Sequence, residues 1–239
     1  MSTTPLGWLA AEYHFPATYS CRLPLSSMNS ALVSPAPGPA TVRLALLRVG
    51  LEFFSREVVR DSLFPWIRAA SVFIRPPERV ALSGQILRAY KADADKGHVS
   101  FGESVIYREM AHAEGTMTVY LELPLKEHET GKTLLRNIGY WGQASSFATC
   151  LDVSEQAPLK HECAQPLQVV GEQTLLRPFF SCILSEFRDS RVTWQEVVPF
   201  DESPTRASRN PLKLEVYVWP LQVVRQSGRN TLLIRSPFL

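Results

Sequence analysis

The chain has 239 residues, 45% hydrophobic and 20% charged, which supports a folded protein with a sizeable core and excludes a disordered or fibrous one. Its net charge of +2 is too small to hold nucleic acid by bulk attraction alone. The charge is unevenly placed: residues 1–100 carry 11 Lys/Arg against 7 Asp/Glu, residues 101–200 carry 8 against 13, and residues 201–239 carry 6 against 3. Basic ends around an acidic middle suit a subunit that meets an anionic polymer on one side and protein on another.

The first residues, Met1 to Pro5, have neither a basic n-region nor an apolar h-region, and the longest apolar run, 42–51, is broken by Arg43 and Arg48. A cytoplasmic protein is expected. Cys21, Cys150, Cys163 and Cys182 are scattered without metal-ligand spacing and read as reduced thiols. Phosphate-loop, dinucleotide, zinc-protease and nucleophile-elbow motifs are all missing, so no metal, cofactor or catalytic residue is expected.

In chain order, residues 8–15 read as a first strand and 19–26 as an extended segment carrying Arg22. Pro35, Pro37 and Pro39 then exclude a helix interior, and Pro39 is well placed to open one. A helix over 40–54 follows, with Val42, Leu46, Val49 and Phe53 at helical spacing and Arg43, Leu47 and Gly50 on another face. A second helical pattern over 57–69 is interrupted by Pro65. A short strand at 71–74 precedes two longer ones, 79–90 and 103–112, joined by a polar connector at 91–102. On the second arm Val105, Tyr107, Glu109 and Ala111 face one way, and Ser104, Ile106, Arg108 and Met110 the other. Neither arm has a strongly apolar face, so this hairpin is expected to leave the domain. A strand at 116–123, a helix at 127–138 and a strand at 147–153 complete a β-α-β-(hairpin)-β-α-β order. That order predicts an α+β, ferredoxin-like or RRM-like domain over 1–165, with a thumb insertion at about 79–112. Residues 166–239 are expected to form a β-rich subdomain, with strands at 168–170, 191–198, 213–219 and 231–234 and a polar loop at 201–211.

The most informative stretch is Gly139-Tyr140-Trp141-Gly142-Gln143-Ala144-Ser145-Ser146-Phe147. Glycine lets a ligand approach the backbone, Tyr140 and Trp141 offer flat faces, and Gln143, Ser145 and Ser146 offer neutral hydrogen bonds. These groups can grip a nucleic-acid strand, and none is a general base near pH 7. The competing reading is a helix end that drops two aromatics into the core. Arg22 and Arg43, near the strand ends of the sheet, are the candidate phosphate contacts, with Tyr107 and Arg108 on the hairpin arm. His112 with Lys126 or Lys132 could form a base–cation pair for ribonuclease chemistry, but a surface histidine beside a turn is the better reading.

Residues 35–46, the 139–147 loop and the insertion at 79–112 together resemble the Cas family five subunits of type I CRISPR Cascade complexes. The first is similar to that family's proline-rich entry into its first helix, and the second to its aromatic-glycine-x-x-x-Ser-aromatic loop. The insertion sits where the family places its thumb. Leu44 stands where the family often has glycine, and Gln143 or Ala144 where it usually has a basic residue. The resemblance implies a RAMP-type, non-catalytic RNA-binding subunit that holds the crRNA 5′ handle and caps a filament of backbone subunits. It also implies docking of the large PAM-reading subunit, and so contact with target DNA only indirectly. The alternatives are a metal-independent endoribonuclease that cleaves repeat RNA, and another RAMP backbone subunit.

Overall fold

A computed structural model describes residues 5–26, 30–93, 100–171, 177–189, 191–198 and 211–238. The elements are β1 (Leu6–His14), β2 (Cys21–Arg22), β3 (Ser30–Ala31), β4 (Val33–Ser34), α1 (Pro39–Phe53), α2 (Arg56–Val58), α3 (Phe64–Ala69) and β5 (Ser71–Arg75). They continue with β6 (Arg79–Asp93), β7 (Ser100–Glu114), β8 (Met117–Pro124), α4 (His128–Arg136) and β9 (Thr149–Ser154). The last are β10 (Gln165–Pro166), α5 (Leu167–Val170), β11 (Phe179–Phe187), α6 (Trp194–Val197), β12 (Leu212–Ser227) and β13 (Asn230–Arg235). The architecture is mixed α and β with mostly antiparallel sheets, in keeping with the α+β expectation. Among the described residues, no helix is long and apolar enough to cross a membrane.

One sheet has four strands in the order β5-β8-β1-β9, every neighbour antiparallel. Helix α1 carries the chain from the first strands to β5, and α4 carries it from β8 to β9. A second sheet runs β10-β12-β13-β6-β7-β3, with β11 also on β12. Its β3–β7 pair is parallel and the rest are antiparallel. The strands after residue 165 therefore continue the β6–β7 hairpin through β13.

The hairpin's faces are less polar at its base than expected. Val80, Leu82, Ala111 and Ala113 are buried and join the main core, and β13 pairs with β6 over Arg79 to Ser83. Small alanines let the sheet pack closely where the sequence shows no obvious apolar stripe. Farther out, Ile86, Leu87 and Val105 are exposed. Tyr107 lies over Gly84, where a Cβ would clash with the ring, so that glycine makes room for an aromatic on the facing strand. The 94–99 part of the connector and residues 201–210 of the polar loop lie outside the described residues.

Local chemistry accounts for the other departures. Pro65 does not simply break a helix. A π turn over Val59–Leu63 ends with Phe64 N–H bonded to Val59 O, and Pro65, which lacks an N–H, falls in the first turn of α3. Residues 168–170 and 191–198 are not strands. Thr193 and Glu196 form a reciprocal capping box that opens α6, and α5 is a single turn ended by Gly171 at φ +78°. β11 falls where the sequence predicts no strand, because its alternation is weak. Pro220 does not end a strand but lies inside β12, where the β11 register shifts between Phe179 and Ser181 and the partner on the other side changes from β10 to β13. A bulge is where a strand tolerates proline.

Helix α1 lies between the two sheets and is buried on several sides, including Val42, Leu46, Leu47 and Val49. Arg43 is buried with it. Its Nη1 pairs with Glu186 Oε1 at 2.6 Å, its Nη2 donates to Ala70 O at 2.7 Å, and its guanidinium lies 5.5 Å from the Phe187 ring centre. One side chain thus ties α1 to the end of α3 and to β11. Breaking a buried ion pair leaves an uncompensated charge. Arg43→Ala is expected to lower unfolding free energy by about 3–5 kcal/mol in a denaturant titration. An Arg43→Met/Glu186→Leu double substitution should recover most of that loss.

Candidate functional site

The 139–147 loop leaves the C-terminal end of α4 and re-enters the four-stranded sheet at β9. Three backbone contacts hold it: Trp141 N–H to Ser146 O at 3.1 Å, Ser146 N–H to Gln143 O at 2.9 Å, and Ala148 N–H to Gly139 O at 3.0 Å. Ser146 is fully buried. Its Oγ accepts from Ser20 N–H at 2.9 Å and donates to Ser20 O at 3.3 Å, so the loop is fastened to the segment that follows β1.

Trp141 is not a stacking platform. Its ring has no exposed surface and meets Tyr13 edge-on, with centroids 4.9 Å apart at 81°. Tyr13 donates its hydroxyl to Leu135 O at 2.7 Å, and burial raises its pKa well above the usual phenol value, which keeps that donor protonated. Two glycines and a polar run suggested exposure. The bracketing backbone bonds instead turn the indole inward, as the competing core reading had it.

What the loop leaves outside is different. Gly142 is exposed at φ +71°, and a Cβ there would meet only Thr41 Cγ2, at 3.9 Å. Gln143 and Ser145 are exposed beside it. Tyr140 is half-buried, and the Arg48 guanidinium lies 3.7 Å from its ring centre. Arg48 Nη1 pairs with Glu52 at 3.2 Å, while its Nη2 is buried and has no hydrogen-bond partner among the described residues. Thr41, Leu44, Ala45 and Arg48 of α1 face Tyr140 and Gly142 across a groove of about 230 Å³. The groove combines a guanidinium, an aromatic edge and an open glycine backbone, a set suited to a phosphate or sugar edge. Sequence reading missed Arg48 because Glu52, four residues on, makes it look like an ordinary surface pair.

The other candidates separate. Arg43 is a core strut rather than a surface cation. Arg22 is exposed on β2 and donates to Ser26 O at 3.0 Å. Tyr107 faces the core side of the hairpin, over Gly84. Arg108 faces the opposite way, half-buried, with Nη1 lacking a hydrogen-bond partner among the described residues. His112 is not brought together with either lysine. It lines a cleft that contains neither, and Lys132 is held by Glu129 and Glu155 at 2.9 and 3.0 Å. The described residues hold no group of His, Cys, Asp or Glu able to bind a metal ion. The cysteines are free thiols, with Cys163 pushed up to about 12 and Cys182 to about 11, chiefly by burial.

No family model matches the chain. Over 84 residues, 35% of this chain, it is 29% identical to the CRISPR-associated protein Cas5 of Archaeoglobus fulgidus. The match spans 37% of that relative's length. A crystal structure of a CRISPR protein from Archaeoglobus fulgidus overlaps 97% of this chain and 92% of its own, with a TM-score of 0.38 and 13% identity. Over those 84 residues the chain is Cas5-like.

The burial of Trp141 fixes the outcome of its removal. Trp141→Ala is expected to cost about 3–5 kcal/mol of stability by opening a cavity, and Trp141→Phe to cost clearly less. Thermal or chemical unfolding checks both.

Proposed function

We propose that this chain is a non-catalytic RNA-binding subunit of a type I CRISPR effector that holds the 5′ handle of the crRNA. The observation that carries this reading is the groove between α1 and the 139–147 loop, where Arg48, Tyr140 and the open backbone of Gly142 converge. It supplies charge, an aromatic edge and close backbone approach without a general base. Gln143 and Ser145 extend it with neutral donors and acceptors, and Arg22 and Arg108 are further cations for the RNA backbone. Trp141 and Ser146 support the groove from beneath and touch no RNA.

The likeness to Cas5 supports the same assignment. So does the strand order β5-β8-β1-β9 with α1 and α4 as crossovers, which is the order of a ferredoxin-like, RAMP-type domain. In this reading the distal β6–β7 hairpin is the thumb, its exposed Ile86, Leu87 and Val105 available to a neighbouring backbone subunit. The large PAM-reading subunit docks on the assembled cap, and base pairing by the guide reads the target DNA.

The test is crRNA retention by the assembled complex, with and without the handle. Handle-bearing RNA should be retained better, and equal retention of handle-less guide overturns the reading. Arg48→Ala should weaken handle RNA by about tenfold or more, the scale of a lost charged hydrogen bond. It should also flatten the salt dependence, because fewer counterions are released on binding. Gly142→Val should weaken binding while costing about 1–2 kcal/mol of stability, since a side chain is strained at that φ. Repeat RNA incubated with the protein without metal should remain uncut.

A further inference from the structure

A second cleft, of about 700 Å³, lies on the outer face of the seven-stranded sheet at the base of the hairpin. Strand register lays out its floor in two rows across β13, β6 and β7. Leu232, Ala81 and His112 are directly paired in one row, and Ile234, Arg79 and Glu114 in the next. His14 at the end of β1, Phe15 and Pro16 after it, and Ala113 and Gly115 complete the lining.

The rows have a consistent order. An aliphatic side chain stands on β13 and a polar one on β7. Between Leu232 and His112 the floor residue is only Ala81. Strands are about 4.8 Å apart, so the backbones of Leu232 and His112 lie about 10 Å from one another across that alanine. Their side chains therefore flank the small Ala81 floor from either side. One wall is a branched aliphatic chain, the other an imidazole that can stack and hydrogen-bond. Arg79 and Glu114 pair at 3.2 Å beside the slot but are more than half exposed, so this pair costs little to exchange for a phosphate. Arg108 lies on the same face, four residues along β7 from His112.

We infer that the slot over Ala81, between Leu232 and His112, takes one unstacked nucleobase of single-stranded RNA, with Arg79 on its phosphate. The inference rests on the RNA-binding reading above and adds a base-holding site apart from the α1–loop groove. That groove's own aromatic, Tyr140, already has Arg48 on its ring and grips backbone. A small floor between an aliphatic and an imidazole wall favours a flat ring over a peptide segment, which would need pockets for alternate side chains along a strand edge.

The test compares binding of a fluorescein-labelled eight-nucleotide uridine RNA with an abasic ribose-phosphate strand of the same length, by anisotropy. The full chain should bind the base-bearing strand roughly 5- to 150-fold more tightly, the range for one stacked base. Ala81→Leu, which fills the slot, and His112→Ala, which removes a wall, should each collapse that ratio to near one. Both sites point outward on a sheet face, and circular dichroism confirms folding. Arg48→Ala should weaken both strands in parallel and leave the ratio intact. A ratio unchanged by Ala81→Leu overturns the inference alone. No binding of either strand by the unaltered chain overturns the RNA-binding reading itself.

Discussion

Helix α1 is the member on which the rest of the molecule depends. It packs on β5 of the four-stranded sheet and on β11 of the seven-stranded one, so a single helix joins the two. A helix in that position has little room for charge, and its buried arginine is held by three contacts, Glu186 on β11, the Ala70 carbonyl at the end of α3 and the Phe187 ring, while its buried Nε has no hydrogen-bond partner among the described residues. The pair adds specificity of placement more than raw stability, since apolar residues of similar volume fill such sites at least as well. It fixes the rotation of α1, which in turn decides that Arg48 and Leu44 face the 139–147 loop.

The loop is positioned from the other side by the same core. Trp141 is driven inward against Tyr13, and Ser146 takes both backbone groups of Ser20. The indole packs in the core, its Nε1 without a hydrogen-bond partner among the described residues, and the Ser146 hydroxyl is bonded to Ser20, so the exposed stretch is anchored at both ends. Gly142 at positive φ makes the turn between the buried indole and the exposed Gln143. A rigid frame with a few solvent-facing polar groups is what pre-organised binding requires.

The second sheet combines elements far apart in sequence. β13, close to the C-terminus, pairs with the base of the hairpin, and β12 bridges it to β10 and β11. This pairing converts a hairpin that reads as half-polar into a partly buried one. Its inner residues are Val80, Leu82 and two alanines, and its outer face alternates aliphatic and polar side chains. The cleft on that outer face exists only because three strands from two distant segments lie in register.

Period and punctuation in the sequence were enough for the first sheet. The alternation of β8, the helical stripe of α1, the proline entry before it and the α4 pattern each specify a local conformation on their own, and their order gave the β-α-β-β-α-β succession. Sequence could not decide which way Trp141 and Arg43 point, because a tryptophan among polar neighbours and an arginine on a helix are as compatible with solvent as with a core. Direction there is set by partners more than a hundred residues away, Tyr13 for one and Glu186 for the other. The same holds for α5, α6 and β11. The two four-residue helices are too short for a period to show and β11 alternates only weakly, so a capping box or a pairing partner settles them. The tertiary structure alone decided that Arg48 rather than Arg43 borders the groove, and that Ala81 lies at the floor of a slot, since both follow from packing and strand register rather than from any local pattern.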